Sequence, residues 1–237
     1  MISVVIPTLN AEAGLAATLA SLVPAVVDGI VREVVVVDGG STDRTLAVVD
    51  QAGAELVAAK APGRGRQLID GAEHARHPWL LFLHADTVLE DGWQREVETF
   101  MTRIESGARP DQAAVFTFAL EDNGARPRLL ERGVTARNVI FGLPYGDQGL
   151  LISRRLYREI GGYRPIEIME DVDIVRRLGR RRIHRLRARA VTSAVRYTTD
   201  GYARRSFINL TCLGCYLVGV PPTRIRRLYD RKAGQSL

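Results

Sequence analysis

His84 and Asp86 close a short apolar run, Leu80-Leu81-Phe82-Leu83, and stand one residue apart. Along a strand, residues i and i+2 project to the same side, so an imidazole and a carboxylate would face one ligand from the strand's C-terminal end. In open α/β sheets that edge is where ligands bind. A carboxylate there suits a hard divalent cation, which takes a few protein oxygens and completes its shell with phosphates. A polar strand end facing water would carry the same residues. Two more acidic positions are comparable. Asp38 ends a β-branched run before Gly39-Gly40, where it could accept hydrogen bonds from a base or ribose, or only form the turn. Asp171, after Glu170, opens a helix whose dipole stabilises a carboxylate, with capping as the plainer reading.

Gly63-Arg64-Gly65-Arg66 precedes another helix and offers backbone N–H groups and two guanidinium groups to a diphosphate. It is neither a P-loop nor a dinucleotide fingerprint. Gly146-Asp147-Gln148 follows the loop Gly142-Leu143-Pro144-Tyr145 and suits either a contact with a sugar or acceptor, or a strand-entry turn.

These residues need a sheet to bring them together, and the patterning supplies one. Ser3–Ile6 reads as a buried strand stopped by Pro7, and Asn10 is placed to cap a helix bearing Leu15, Leu19 and Leu22. Glu33–Val37 is a second strand. Ser41 or Thr42 is placed to cap the helix that follows, which closes near Gly53. Glu55–Ala59 is a third strand, followed by a helix toward Ala75 and then the Leu80–Leu83 strand. Trp93, Val97, Phe100 and Ile104 recur at helical spacing. This β-α alternation predicts a mostly parallel sheet flanked by helices. In the second half, strands are expected over Ala113–Leu120 and Gly149–Ser153. Helices are expected around Leu129–Ile140, up to Ile160, and over Ile168–Leu178, ahead of a basic strand region. With 237 residues and no repeat or linker, one α/β domain over 1–200 with a helical tail over 201–237 is the simplest division.

The net charge is +6, and the basic residues, nearly all arginine, cluster late in the chain. Such a surface suits phosphates or anionic lipid, and the absence of an aromatic RNA-binding signature argues against nucleic acid. Cys212 and Cys215 form a lone CxxC in an apolar stretch, which reads as small buried residues and not as a zinc site. No basic segment with a leader core opens the sequence, so the expectation is a cytoplasmic protein.

Taken in order, Val4-Val5-Ile6-Pro7-Thr8-Leu9-Asn10, Val34-Val35-Val36-Val37-Asp38-Gly39-Gly40-Ser41-Thr42-Asp43, the Gly63–Gly71 segment, Phe82–Asp86 and Glu170-Asp171 resemble the family 2 glycosyltransferases. The resemblance covers roughly residues 1–180 and looks closest to a bacterial subgroup with His-Ala-Asp and a late Gly-Asp-Gln. It implies the GT-A fold, with a nucleotide-binding half over 1–110 and an acceptor and catalytic half over 111–200. It implies a nucleotide-sugar donor, an unidentified acceptor hydroxyl and a divalent metal, Mg²⁺ or Mn²⁺. By the same resemblance, Pro7, Thr8, Asn10, Glu12, Asp38, Gly39, Arg66, His84, Ala85 and Asp86 line the nucleotide site. Asp86 holds the metal, Asp171 with Glu170 is the catalytic pair of an inverting transfer, and Asp147 and Gln148 meet the donor sugar or acceptor. Two positions depart from the family: His84 replaces an aspartate and Ile69 an asparagine. No Gln-x-x-Arg-Trp motif of processive synthases is present, which favours a single transfer. A nucleotidyltransferase and a non-catalytic nucleotide-binding protein are the alternatives.

Phe207–Val220 is almost wholly apolar. As a helix it would extend about 21 Å, short of the roughly 30 Å hydrocarbon core. Three readings stand: peripheral contact with an anionic membrane at its inner face, packing on the catalytic domain, or a homodimer contact through the tail.

Overall fold

Valine-rich runs with apolar residues on both faces become interior strands. The computed structural model describes residues 1–122, 124, 127–131, 133, 134 and 146–232. In it, β1 (Ile2–Thr8), β2 (Val31–Asp38), β3 (Glu55–Ala58) and β4 (Trp79–Phe82) pair in parallel in the order β3-β2-β1-β4. They are joined by α1 (Glu12–Val27), α2 (Thr45–Gln51) and α3 (Arg64–His74). The period-2 alternation of these strands feeds two cores. Ile2, Val4, Ile6, Trp79 and Leu81 pack under α1 with Leu15 and Leu22, and under α4 (Trp93–Glu105) with Trp93, Val97 and Phe100. Val5, Val35, Val37, Leu80 and Phe82 face α3, meeting Leu68 and Ala72.

Beyond β4 the pairing is mixed. β5 (Thr87–Leu89), β6 (Ala113–Leu120), β7 (Leu150–Ser153) and β8 (Ile183–Thr192) complete an eight-stranded sheet among the described residues, in the order β3-β2-β1-β4-β7-β6-β8-β5. β7 runs antiparallel to β4 and β6, β5 runs antiparallel to β8, and β6 and β8 are parallel. Helices α5 (Arg154–Glu159) and α6 (Glu170–Leu178) follow β7. Helices α7 (Val195–Asp200), α8 (Tyr202–Leu217) and α9 (Pro222–Lys232) follow β8. Val172, Ile174, Val175 and Leu178 seat α6 in the same core as α3.

Three local expectations are corrected. β1 does not stop at Pro7 but continues to Thr8, with Pro7 in register with Val37. Pairing with β4 ends at Val5 and Phe82, so no ladder bond on that side needs the N–H that proline lacks. Asn10 does not cap α1, whose N-cap is Ala11 without a side-chain bond. Ser41 and Thr42 do not cap α2 either, since its N-cap is Arg44 and Asp43 takes the Thr45 N–H at 3.0 Å. The expected loop Gly142–Tyr145 and most of the expected Leu129–Ile140 helix lie outside the described residues.

Candidate active site at the C-terminal edge of the sheet

Thr8 and Asp38 are register partners at the ends of β1 and β2. Val5 pairs with Phe82, the last residue of β4, so the chain after Phe82 emerges at the same edge. His84-Ala85-Asp86 therefore lies in a turn and not on a strand, which corrects the alternation argument. The Thr87 N–H closes that turn onto the His84 carbonyl at 3.3 Å, and β5 departs to pair with β8 at the far end of the sheet. The two side chains still face each other, with His84 Nδ1 3.9 Å from Asp86 Oδ1. Helix α1 braces the turn. A Cβ on Gly14 would stand 3.0 Å from the Ala85 carbonyl oxygen and the Asp86 Cα, and Thr18 Oγ1 donates to that carbonyl at 2.9 Å.

The Asp-Gly-Gly-Ser-Thr-Asp block works as a lock between two loops. Asp38 accepts from the Gly40 and Ser41 N–H groups at 2.8 and 2.9 Å, from Ser41 Oγ at 2.5 Å and from Thr8 Oγ1 at 3.2 Å. Burial alone would push its carboxyl up, but these bonds together hold it below the usual range. Asn10, at φ 51°, takes the Thr42 N–H at 2.9 Å, and Glu12 takes the Arg44 N–H at 2.8 Å. Beneath them buried Gln67 donates from Nε2 to the Thr8 and Val37 carbonyls at 2.7 and 2.9 Å, next to Gly39. Sequence reading missed Gln67, because a lone helical glutamine looks like surface.

The chemical cluster gathers around Gly146. A Cβ there would lie 2.7 Å from Arg64 Nη2, 2.7 Å from His84 Nε2 and 3.4 Å from Asp171 Oδ2. Four segments thus meet: the start of α3, the β4–β5 turn, the short 3₁₀ turn Gly146–Gln148 and the start of α6. Asp171 Oδ2 accepts the Gly146 N–H at 2.7 Å and Oδ1 the Val172 N–H at 2.8 Å. Glu170, 4% exposed, holds Arg64 through Nε at 3.1 Å. Burial pushes the Glu170 carboxyl up to about 7; Arg64 opposes this and the Asp171 charge adds to it. Burial works against the Arg64 cation, yet Glu170, Asp171 and Asp86 together hold it protonated. Buried Tyr163 stands edge-on to Phe82 at 4.9 Å beside this group, its hydroxyl pushed well up by burial and by the neighbouring carboxylates.

Arg66 points elsewhere. Its Nη2 is 2.6 Å from Asp70 Oδ1, a carboxylate 1% exposed that also takes the Lys60 N–H at 2.9 Å. The structure thus directs Arg64, and not Arg66, to the cluster. Gln148 is fully buried, and Asp147 joins β8 through its carbonyl, which accepts from Thr192 Oγ1 at 3.2 Å. Among the described residues no group of three or more His, Cys, Asp or Glu could hold a metal by itself. Asp86 with His84 offers two donors, which fits a cation that takes most of its shell from phosphate oxygens.

Residues 3–118 match the model for glycosyl transferase family 2. That segment, just under half of the chain, is similar to glycosyl transferase family 2. Among curated relatives, a PGL/p-HBAD biosynthesis glycosyltransferase of Mycobacterium bovis (strain BCG / Pasteur 1173P2) is 37% identical over 101 residues, 38% of this chain and 36% of that protein. A glucosyl-3-phosphoglycerate synthase of Mycobacterium tuberculosis is 34% identical over 95 residues, 37% of this chain and 29% of that one. The chain spans about a third of the length of these relatives. A crystal structure of the M. tuberculosis synthase with Mn²⁺, uridine diphosphate and glucosyl-3-phosphoglycerate superposes with TM-score 0.55 at 25% identity, over 81% of this chain and 70% of that one. S. aureus TarS 1–349 shares the fold with TM-score 0.61 at 17% identity, over 98% and 70% of the two chains. The architecture is thus the GT-A fold of this family. The matched segment ends before Gly146, Glu170 and Asp171, so half of the cluster lies outside it.

Proposed function

We propose that this protein transfers a sugar from a nucleoside diphosphate donor to an acceptor hydroxyl in a single inverting displacement. The observation that carries the reading is the meeting of Arg64, His84 and Asp171 around Gly146, beside the Asp86 turn. Arg64 opposes the charge that grows on the departing diphosphate, and the Glu170 ion pair holds the guanidinium at the cluster. Asp171, half-buried and aligned by the Gly146 N–H, takes the acceptor proton while the bond from the anomeric carbon to phosphate oxygen breaks and the new glycosidic bond forms. Asp86 would hold the divalent cation, with His84 next to it; a bound Mg²⁺ or Mn²⁺ adds positive charge at the diphosphate. The block from Asp38 to Asp43, braced against Asn10 and Glu12, forms the floor for base and ribose.

Uridine diphosphate with Mn²⁺ in the M. tuberculosis synthase makes uridine diphosphate sugars the first donors to try. The test is a donor screen reading nucleoside diphosphate release, with and without Mn²⁺, on wild type and Asp171→Asn. The variant should keep donor binding and lose turnover by about 10²–10⁴-fold, the usual scale for a general base. Equal turnover in the two proteins removes Asp171 from the chemistry. Tight donor binding with no release under any acceptor would favour a non-catalytic binder.

A further inference from the structure

Helix α8 has two faces of opposite fate. Ile208, Cys212 and Leu213 are buried, and the first two pack with Ile225 of α9 against Ile168 and Met169, just ahead of Glu170. Tyr216 adds a hydrogen bond from its hydroxyl to Asp173 of α6 at 3.2 Å. Of the three readings of the tail, packing on the catalytic domain describes this side. The other side is an exposed apolar stripe: Phe207 is 64% exposed, Leu210 58%, Leu217 46% and Val218 81%. Their positions fall at i, i+3, i+10 and i+11, one line along a helix, with Gly214 completing it. Leu217 ends α8 and Val218 opens the turn to α9, exposed Arg224 and Arg227 follow within ten residues, and exposed Arg204 precedes the stripe.

We propose that this face of the α8–α9 hairpin docks on an anionic lipid bilayer, with the apolar stripe entering the headgroup–acyl boundary and the arginines lying among the lipid phosphates. Charge complementarity selects that occupant. The chain carries +6 overall, and the arginines gather at the ends of the stripe. A second copy fits less well for two reasons. Four side chains fall short of the about 800 Å² per partner of a standard stable interface. A two-fold contact would also set the same arginine-bearing patch against itself. No helix among the described residues is long and apolar enough to cross a membrane, so the geometry is one of lying on the surface.

Flotation of the full chain tests this without reference to any transferase activity. Vesicles of phosphatidylcholine containing phosphatidylglycerol should carry the protein upward, and vesicles of phosphatidylcholine alone should not. High salt should release it, because exposed charges are screened. Arg224→Glu with Arg227→Glu should cut partitioning at least about tenfold, as each basic side chain near an anionic surface contributes roughly a fivefold factor. Leu217→Asp with Val218→Asp should do the same with an unchanged circular dichroism spectrum; should that pair fail to fold, the arginine pair decides. Three results would overturn the proposal: protein left at the bottom with anionic vesicles, binding unmoved by the arginine pair, or a concentration-dependent dimer in light scattering that Leu217→Asp abolishes.

Discussion

Gly146→Ala isolates the geometry of the cluster from the stability of the fold. Gly146 is absent from the positive-φ glycines, so a methyl group costs no backbone strain there. The new Cβ would stand 2.7 Å from both Arg64 Nη2 and His84 Nε2, where ordinary contacts begin at 3.4 Å, so each group must retreat by about 0.7 Å. Both contacts are the far ends of flexible side chains, which can move. The lost chain entropy of the unfolded glycine is also worth about 0.4–1 kcal/mol in favour of alanine. The melting temperature should therefore shift by no more than about 3 °C, given roughly 2–4 °C per kcal/mol for a chain of this size. Catalysis has no such tolerance, since a displacement near 1 Å at reacting groups costs on the order of 10²-fold. The expected result is a turnover number down about 10–100-fold in a nucleoside diphosphate release assay, with donor affinity changed less. Turnover within twofold of wild type, in a protein of unchanged melting temperature, would refute the idea that these side chains act together at Gly146.

Arg64→Ala should abolish most turnover while Arg66→Ala leaves it near wild type; Arg66→Ala should instead lower the melting temperature, because buried Asp70 loses a charged partner. Paired kinetics and melts of the two variants check this. For Glu170 the folded carboxyl near 7 lies above the unfolded value of 4.5, so the folded state holds the extra proton between them. Its contribution to stability is present below pH 4.5 and lost as pH rises through 7, with a ceiling of about 3 kcal/mol. His184, held below its ordinary value by burial and Arg109, acts in the opposite sense, so wild type must be compared with Glu170→Gln. That variant should gain in melting temperature relative to wild type as pH rises from 4.5 to 7.5, and parallel curves would contradict the assignment. Asp38→Ala removes four hydrogen bonds and should cost about 2–4 kcal/mol, measured by urea titration. Because the Asp38 carboxyl is held low, the stability it contributes is lost as pH falls below about 4.

The parallel half was legible because each of its signals is local. A strand followed by a helix recurs three times ahead of β4, and Trp93, Val97, Phe100 and Ile104 are buried as their spacing requires. The Asp38–Asp43 block was legible as a motif but not as a mechanism. Its partners, Asn10 and Glu12, are about thirty residues away, and helix capping was the only partner a local reading could offer. Choosing between Arg64 and Arg66 needed the same kind of distant knowledge. Asp70, four residues on, draws Arg66 along α3, while Glu170 on a separate helix draws Arg64 into the cleft. The direction of β7 and the placement of β5 beside β8 depend on pairings across the chain, and no period within either segment encodes them.

Glu170 and Asp171 show how adjacent residues of one chemical type acquire separate tasks. The first turn of α6 points one carboxylate into the core and the other toward the Gly146 loop. The buried one is pushed up in pKa and bound to a guanidinium, so it can orient Arg64 but has no open path to an acceptor. The half-buried one is aligned by a backbone N–H from the loop across the cleft, so it can receive a proton from a group entering there. Exchanging the two residues as a pair would keep every charge of the site while reversing which carboxylate is buried. If charge count alone governed transfer, that double variant would retain activity. If the first turn of α6 assigns the roles, it loses turnover to about the level of Asp171→Asn, and the same release assay distinguishes the two.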